Sequence, residues 1–352
     1  MKFRHFVLML AAAAIFAAPA FAQGEPKAET KTGTAGEPAA ADEANPAAAK
    51  EPDAATSEAD PAAPSEPNAA AIDQNRFGQR PADEAFGAFQ RGLYITALNL
   101  ALPRAEKGDL AAMTLVAEIY GRGLGVPLDE KKAAEWYEKA ADKGVPEARF
   151  QLALILLDGK HAKADPARAR TLMQAAADAG NLLAQFNLAQ MIIGREPGSV
   201  GTAIDYYEKA AKGGLPDAQY AMAQVYANGT GGRPVDDVEA RRWMALAAQR
   251  NFDSAQVELG SWMVEGKGGP RDMKAGFGWI RRAALGGNVA GQNRLAKLYV
   301  EGLGVDPDII EGAAWYVVAK RAGLTDRYME DVLDGLTDEQ KKQAIERANR
   351  LR

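Results

Sequence analysis

The sequence predicts an all-α solenoid, a stack of about six to seven antiparallel helix pairs with a C-terminal capping helix. Three observations support this fold class. A small residue recurs at a nearly constant spacing, and a residue typical of helix N-caps recurs at the same spacing. Between them, apolar residues recur with the periodicity of an α-helix. An array of this kind is stabilised by contacts between neighbouring pairs rather than by one globular core.

The recurring small residue marks the predicted end of each pair. It is glycine six times and asparagine once, at spacings of 36, 36, 34, 37, 36 and 36 residues: Gly108, Gly144, Gly180, Gly214, Asn251, Gly287 and Gly323. Glycine, and after it asparagine, is preferred where a helix ends in a left-handed conformation. We therefore expect a helix to end just before each of these residues.

A second column predicts where the second helix of each pair begins. Its members are short polar residues: Asp129, Asp165, Ser199, Asp236, Asp272 and Asp308. Such side chains accept hydrogen bonds from the free amides of a first turn, so we interpret them as N-caps of helices of about 14 residues. Metal binding is the alternative. It is disfavoured because members one repeat apart would lie roughly 10 Å from each other.

The apolar residues between these markers predict the core. In the first repeat, one face of the second helix carries Ala133, Trp136, Tyr137, Ala140 and Ala141. Four of the five tryptophans share one column, with Leu172 and Tyr206 in its two other places: Trp136, Trp243, Trp279 and Trp315. A tryptophan ladder could stack on a ligand, but at this spacing it is more typical of a core. The paired alanines predict close approach of a neighbouring helix.

Both ends of the chain differ from the repeats. Residues 1–22 are typical of a cleaved secretory signal, with Lys2 and Arg4 before an apolar run of 13 residues. That run is too short for a spanning helix, which needs about 20 residues, so an uncleaved anchor is the weaker alternative. We expect an exported protein, in the periplasm, that does not insert into the membrane after cleavage.

Residues 23–79 are predicted to be a disordered, acidic tether rich in Ala, Pro and Glu. Positions 23–75 contain 17 Ala, 7 Pro and 11 acidic residues against three lysines, and no aromatic residue. Such a segment cannot bury enough apolar area to fold. We interpret it as a spacer, with a binding tail as the alternative.

Composition excludes several classes of function. The whole chain has a net charge of −5, but residues 76–352 carry +1, which argues against nucleic acid as a partner. The chain has no cysteine, so disulfides, thiolate metal sites and thiol nucleophiles are excluded. His161 is the one histidine after the predicted signal, which leaves no zinc site or His-assisted nucleophile. We therefore predict no catalytic residue, no metal and no cofactor, although a pair of carboxylates could still form a glycan-cleaving site.

The repeat motif itself resembles a known family. In the first unit the motif reads Tyr120-x-x-Gly123-x-Gly125-Val126, then Asp129, Lys132-Ala133, Trp136-Tyr137-x-Lys139-Ala140-Ala141 and Gly144. This motif is similar to the signature of the Sel-like repeat (SLR) family, whose members are relatives of the tetratricopeptide repeat. The similarity covers residues 109–324 as six units, with 80–108 as a divergent first pair. The units at 145–180 and 181–214 lack the second loop glycine and the tryptophan.

The resemblance implies a right-handed superhelix whose curved inner face holds proteins or peptides. It also implies an exported bacterial protein connected with the cell envelope. Some exported members carry a disulfide in each repeat, and the absence of cysteine separates this chain from them. After the repeats, Thr337-x-x-Gln340 is a capping-box signature, so residues 325–352 are predicted to form C-terminal capping helices.

Analogy with tetratricopeptide geometry predicts the binding residues on the concave face of the first helices. They are Glu118, Arg122, Phe150, Asp158, Phe186, Gln190, Tyr220, Gln224, Asn228, Glu265, Lys297 and Glu301. Phe150, Phe186 and Tyr220 could form an apolar strip for a peptide, or they could fill the interface between pairs. We predict a monomeric, non-enzymatic scaffold or adaptor for a protein partner. The alternative is a peptidoglycan- or polysaccharide-directed protein that uses carboxylates on the same face.

Overall fold

The computed structural model describes residues 83–160, 162–193 and 198–351. The predicted signal, the whole predicted tether and His161 lie outside these described residues. Regular structure in the described ranges is entirely helical, as the fold-class prediction requires. None of the helices described there is both long and apolar enough to cross a bilayer.

The described residues form sixteen α-helices. In chain order these are α1 (Glu84–Gln90), α2 (Tyr94–Glu106), α3 (Leu110–Arg122), α4 (Glu130–Asp142), α5 (Pro146–Asp158), α6 (Pro166–Asp178), α7 (Leu182–Ile192), α8 (Ser199–Lys212), α9 (Pro216–Asn228), α10 (Asp237–Gln249), α11 (Asp253–Glu265), α12 (Met273–Leu285), α13 (Val289–Glu301), α14 (Ile309–Arg321), α15 (Arg327–Asp334) and α16 (Asp338–Arg350).

Neighbouring helices pack against each other in chain order from α1 to α14, which is the arrangement of an α-solenoid. We define six units, each a first and a second helix: unit 1 (α3 and α4), unit 2 (α5 and α6), unit 3 (α7 and α8), unit 4 (α9 and α10), unit 5 (α11 and α12) and unit 6 (α13 and α14). The second helix of one unit contacts the first helix of the next. After unit 6, α14 packs on both α15 and α16.

The predicted helix ends are confirmed at all seven positions. The six glycines and Asn251 have positive φ angles, between 64° for Asn251 and 97° for Gly108. Asn251 is the one non-glycine residue with positive φ in the described part of the chain. The spacing of small residues was therefore a reliable guide to where the pairs end.

The predicted N-caps are confirmed for the aspartates and wrong for the serine. Each of the five aspartates accepts a hydrogen bond from the backbone amide three residues later: Asp129, Asp165, Asp236, Asp272 and Asp308. In unit 3, α8 begins at Ser199 itself and Gly198 is the N-cap. The Ser199 hydroxyl donates to the carbonyl of Ile192 at the end of α7, which diverts it from the amides of α8.

The most buried column of large side chains on the second helices lies one position after the tryptophans. Tyr137, Met173, Tyr207, Met244, Ile280 and Tyr316 are all 5% exposed or less. Trp315 is also buried, whereas Trp136, Trp243 and Trp279 are half-buried. The prediction of an apolar face was correct, but its centre is shifted by one residue, because the tryptophans lie at the edge of that face.

Small residues permit the close approach of helices. The predicted alanine pairs of α4, α6, α8, α10 and α12 are at most 2% exposed. In unit 5 a Cβ atom on Gly260 would lie 2.7 Å from the carbonyl oxygen of Gly276, and one on Gly276 would lie 2.6 Å from that of Gly260. Real Cβ atoms do not approach so closely, so both positions require glycine.

The two ends of the array are built differently. At the start, the short helix α1 packs on α2, and Arg104 forms ion pairs with Asp83 and Asp109. At the other end, the capping box of Thr337 and Gln340 is present and begins α16. Ala344 and Ala348 are the buried residues of that helix.

Candidate functional site

All twelve predicted binding residues lie on the first helices of the units. We call the exposed side of α3, α5, α7, α9, α11 and α13 the first-helix face. The candidates differ widely in accessibility, and the structure separates them into four groups: buried rings, residues that join neighbouring elements, residues that line an open cleft, and residues spread over other units.

Two of the predicted aromatic candidates belong to the core. Phe150 is 4% exposed and Phe186 is 8% exposed, with the ring of Phe186 centred 5.4 Å from that of Tyr207. Tyr220 is half-buried, with its ring centre 5.1 Å from that of Phe252. The proposed apolar strip is therefore not open in this structure. Their burial agrees with the alternative interpretation, in which the rings fill the interface between helix pairs.

Tyr220 and Gln224 join unit 4 to unit 5. The Tyr220 hydroxyl and the Gln224 side-chain amide both donate to Oε2 of Glu258 on α11, at 2.9 Å and 2.7 Å. Burial raises the pKa of Glu258, although both hydrogen bonds act to lower it. Burial also raises the pKa of Tyr220, so its hydroxyl remains a donor. We call these three residues the Glu258 cluster.

Lys297 has a similar role at the end of the array. Its ammonium group lies 2.6 Å from Oδ2 of Asp326, and the side-chain amide of Asn293 donates to the same oxygen at 2.9 Å. Burial acts to raise the pKa of Asp326, but the hydrogen bonds from Lys297 and Asn293 outweigh it, and the pKa is lowered. We call these three residues the Asp326 cluster.

Four candidates lie elsewhere on the first-helix face. Asn228 is exposed and donates to the carbonyl of Gln224, while Glu265 accepts a hydrogen bond from Arg294 at 3.2 Å. Gln190 is half-buried and Glu301 is exposed. These residues are spread over different units, so the structure does not bring them together into one site.

The remaining candidates, Glu118, Arg122 and Asp158, line one cleft between α3 and α5. We call it the unit 1–2 cleft, and its volume is about 490 Å³. Apolar or small residues form its deeper part: Gly121, Ala133, Leu154, Ile155 and Leu157. Polar and charged residues complete it: Glu118, Arg122, Glu130, Tyr137, Gln151, Asp158 and Lys160. Both the size and the mixed lining are typical of a ligand site.

Ion pairs hold the charged side chains of the unit 1–2 cleft in place. Arg122 donates to Oε1 of Glu118 at 2.7 Å, and the Tyr137 hydroxyl donates to Oε2 of the same carboxylate at 3.0 Å. Lys160 lies 2.9 Å from Asp158. Burial and then the neighbouring Glu118 raise the pKa of Tyr137, which keeps the phenol protonated as a donor. The charged groups of the lining are therefore paired with one another as well as facing the cleft.

Gly121 explains part of this opening. In units 5 and 6 the same position holds Val264 and Val300, whose Cγ2 atoms would lie 2.7 Å from a Cβ on Gly276 and Gly312. These valines fill the gap between the two helices of their units. Unit 1 has Gly121 facing Ala133 instead, so no large side chain occupies that space.

The loop of unit 2 differs in sequence from the loops of units 5 and 6. In units 5 and 6 the second loop glycine, Gly268 or Gly304, packs directly on the first turn of the preceding second helix, against the carbonyl of Asp237 or Met273. Unit 2 has His161 at the equivalent position, outside the described residues. The neighbouring Lys160 and the first residue of α4, Glu130, both line the cleft.

A buried row of polar residues was missed in the sequence. The side-chain amides of Gln185, Gln219, Gln256 and Gln292 each donate to a backbone carbonyl eight residues earlier, in the last turn of the preceding second helix. Arg149 makes the equivalent bond in unit 2. The sequence contains a pattern that could have predicted this row: a glutamine follows Ala or Gly near the start of four first helices.

The polar groups of the first-helix face do not form a metal-binding cluster in the described residues. In the described residues, no group of three or more acidic or histidine side chains is placed to hold a metal ion. Burial raises the pKa of Glu258, and its Oε2 atom already accepts hydrogen bonds from Tyr220 and Gln224. Accessible polar groups and an apolar floor occur together in the unit 1–2 cleft.

Comparison with known proteins agrees with this architecture. The family model described as Sel1 repeat matches six consecutive segments that together span most of the array: residues 110–145, 146–181, 182–215, 216–252, 253–288 and 289–324. The chain belongs to the Sel1 repeat family. The six matched repeats coincide with units 1 to 6, and the two units with atypical loops are included.

Relatives of this Sel1 repeat protein occur in fungi and bacteria. It is 27% identical over 232 residues to chitin synthase regulatory factor 3 of Schizosaccharomyces pombe, which covers 62% of this chain and 25% of that protein. The chain thus matches only about a quarter of this relative's length.

Solved structures show the same fold. A protective antigen of uropathogenic Escherichia coli with an SLR fold is 26% identical, with a TM-score of 0.50, and the match covers 73% of this chain and 64% of that one. A Sel1 repeat protein from Oxalobacter formigenes, 24% identical, gives a TM-score of 0.58 and covers 70% of this chain and all of that one.

Proposed function

We propose that this Sel1 repeat protein is a non-enzymatic scaffold or regulatory adaptor of the bacterial cell envelope, and that it binds a protein or peptide partner on its first-helix face. The observation that carries the proposal is the unit 1–2 cleft, where an apolar floor and paired charged groups share one accessible opening. Repeat arrays present extended surfaces of this kind to protein partners.

The family supports an adaptor rather than an enzyme. Sel1 repeats generally form non-enzymatic scaffolds that mediate protein–protein interaction, and one relative of this chain is named as a regulatory factor of chitin synthase. We extend the regulatory role to this protein by analogy. Its partner would be a protein, and its influence on that partner would come from binding.

Location in the periplasm is part of the proposal. The basic and apolar pattern of residues 1–22 supports export, and the acidic composition of 23–79 supports a spacer that lets the array reach its partner. A fusion to alkaline phosphatase, which is active only after export, tests the location. Activity that depends on residues 1–22 is expected, and an inactive, cytosolic fusion would contradict export.

Photo-crosslinking in cells tests the binding face. A photoreactive residue at Asp158 or Gln190 lies on the first-helix face, and one at Glu135 or Arg242 lies on exposed positions of the second helices. We expect a specific protein adduct from the first pair and none from the second. A chain lacking 23–79 should still form the adduct if the tether is only a spacer. Adducts from the second-helix positions alone would disprove the proposed face.

Activity assays test the non-enzymatic part of the proposal. The purified protein, with residues 1–22 removed, would be incubated with peptidoglycan fragments and with ester substrates. We expect no turnover above the uncatalysed rate. Turnover that is abolished by substitution of a carboxylate, such as Glu118→Gln, would replace the adaptor with a glycan-directed or hydrolytic enzyme.

A further inference from the structure

We propose that the unit 1–2 cleft binds an extended peptide segment that presents an aliphatic or aromatic side chain beside a lysine or arginine. The proposal rests on the proposed function, since it assigns both the place and the chemistry of a protein partner. Three features of the cleft support it: its shape, its apolar lining and the excess of carboxylates over cations.

The floor of the cleft fits one large apolar side chain. Leu154, Ile155 and Leu157 line it from α5 and remain half-buried, while Gly121 and Ala133 provide no side chain beyond a methyl group. An apolar group that enters this space removes the partly exposed aliphatic surface from water. Polar ligands would gain nothing from that part of the cleft.

Comparison with the other units indicates that Leu154 is available to a ligand. The equivalent residues in units 3, 4 and 6 are polar: Gln190, Gln224 and Lys297. Gln224 in unit 4 donates a hydrogen bond to the carboxylate of Glu258, and Lys297 in unit 6 forms an ion pair with Asp326. Leu154 has no polar group with which to make such a bond, so an apolar surface faces the cleft at this position.

The charges favour a basic neighbour for the apolar group. Three carboxylates line the cleft, from Glu118, Glu130 and Asp158, against two cations, Arg122 and Lys160. Glu147 adds a fourth carboxylate near Tyr137. A lysine or arginine of the partner would share these carboxylates, whereas an aspartate or glutamate would add to their repulsion.

Asp158 brings a carboxylate to the cleft at the last residue of α5, where the helix dipole disfavours a negative charge. Units 5 and 6 also carry a carboxylate at this position, Glu265 and Glu301, whereas unit 1 carries Arg122. Of these three carboxylates, that of Asp158 lines the unit 1–2 cleft, where it adds to the attraction for a basic ligand.

The test is a selection of peptides that bind to the protein without residues 1–22. Random peptides displayed on phage would be selected, and the recovered peptides would be synthesised and their affinities measured by fluorescence anisotropy. Three variants would be compared with the wild type: Leu154→Gln, Asp158→Lys and Glu265→Lys. Leu154→Gln installs the residue that units 3 and 4 carry at that position, so the fold is expected to remain. Glu265 occupies in unit 5 the position of Asp158, which makes Glu265→Lys the matched control.

The expected peptides contain an aliphatic or aromatic residue next to lysine or arginine. Leu154→Gln and Asp158→Lys should each weaken binding by about tenfold, Glu265→Lys should leave it unchanged, and added salt should weaken it. Circular dichroism of each variant verifies that the helices are intact.

Two results would overturn the inference in distinguishable ways. Acidic peptides, or peptides whose binding responds to Glu265→Lys and not to Asp158→Lys, would disprove this site and ligand while leaving a peptide-binding scaffold in place. A failure to select any peptide, together with the absence of crosslinked protein from the first-helix face, would remove the proposed function as well.

Discussion

The junction between units 1 and 2 is open, whereas the junction between units 4 and 5 is closed. At the closed junction the Glu258 cluster connects the first helices, and Gly268 packs its backbone against Asp237. At the open junction Glu118 bonds to Arg122 and Tyr137 of its own unit, and Gln151 bonds to Glu147 of its own helix. Repeats with the same fold therefore differ in whether side chains connect the first helices of neighbouring units.

The largest expected difference between these junctions is in stability. Met244 is fully buried in the cluster that joins units 4 and 5, together with Leu259 and Trp262. Met244→Ala should lower the free energy of unfolding by about 3 kcal/mol through lost burial and a cavity. Leu154→Ala at the half-buried floor of the cleft should cost less than half as much. Urea denaturation of both variants measures this, and equal losses would show that the cleft floor is packed like the core.

The loop contact at the closed junction gives the second prediction. Gly268 has a φ of 66° and its backbone touches the carbonyl of Asp237, so Gly268→Ala introduces both strain and a clash. We expect a loss of about 2 to 3 kcal/mol. Gly287→Ala is the matched control, because Gly287 has a φ of 89° but open space around it. That variant should lose about 1 to 2 kcal/mol from the left-handed conformation alone. Thermal melting compares the two, and the prediction is wrong if the control is the less stable.

The two carboxylate clusters should depend on pH in opposite directions. Burial raises the pKa of Glu258 above its ordinary 4.5, so the stability it contributes is complete below that pH and is lost as pH rises through its folded pKa. The pKa of Asp326 lies below its ordinary 3.8, so its contribution is present above that pH and is lost as pH falls through its folded pKa.

Two variants test these signs. Asp326→Asn should cost about 2 kcal/mol at neutral pH, because hydrogen bonds to a charged group are lost, and the cost should shrink in acid. Glu258→Gln should cost most in acid and become neutral or stabilising as the pH rises. Urea denaturation over a pH series separates them. Parallel pH profiles for the two variants would refute the assignment of opposite shifts.

The smallest expected effect is that of the buried glutamine row. Gln256 donates to the carbonyl of Ala248 at 3.0 Å across the junction between units 4 and 5. Gln256→Met keeps the volume and removes the donor, so we expect a loss of about 1 kcal/mol. Gln343→Met on the exposed side of α16 should change stability by less than about 0.5 kcal/mol. No difference between these two variants would show that the row is not needed for cohesion.

Much of the fold could be predicted because its signals are local. Asp129 and Asn251 act within one turn of the helices that they begin or end, so residue type and spacing were sufficient. Ser199 was mispredicted because the carbonyl of Ile192, across an atypical loop, competes for its hydroxyl. The most buried large side chains lie one residue after the tryptophans. Helical periodicity predicts which residues share an apolar face, but it does not predict how buried each side chain is.

The site was harder to predict because it depends on contacts between units. Position within the repeat placed Glu118 and Asp158 on the first helices, and the structure brings both to one cleft. The same reasoning selected Phe150 and Phe186, which are buried, and Tyr220 and Gln224, which bond to Glu258. The sequence shows a glycine at position 121, but its effect on the cleft depends on Ala133, the small residue that faces it from α4.

The most direct measurement is hydrogen–deuterium exchange of the protein without residues 1–22, with and without a selected peptide. The account predicts that the peptide slows exchange in α3 and α5 and leaves α9 and α11 unchanged, because the unit 1–2 cleft is open and the junction of units 4 and 5 is closed. Slowed exchange in α9 and α11, with no change in α3 and α5, would contradict it.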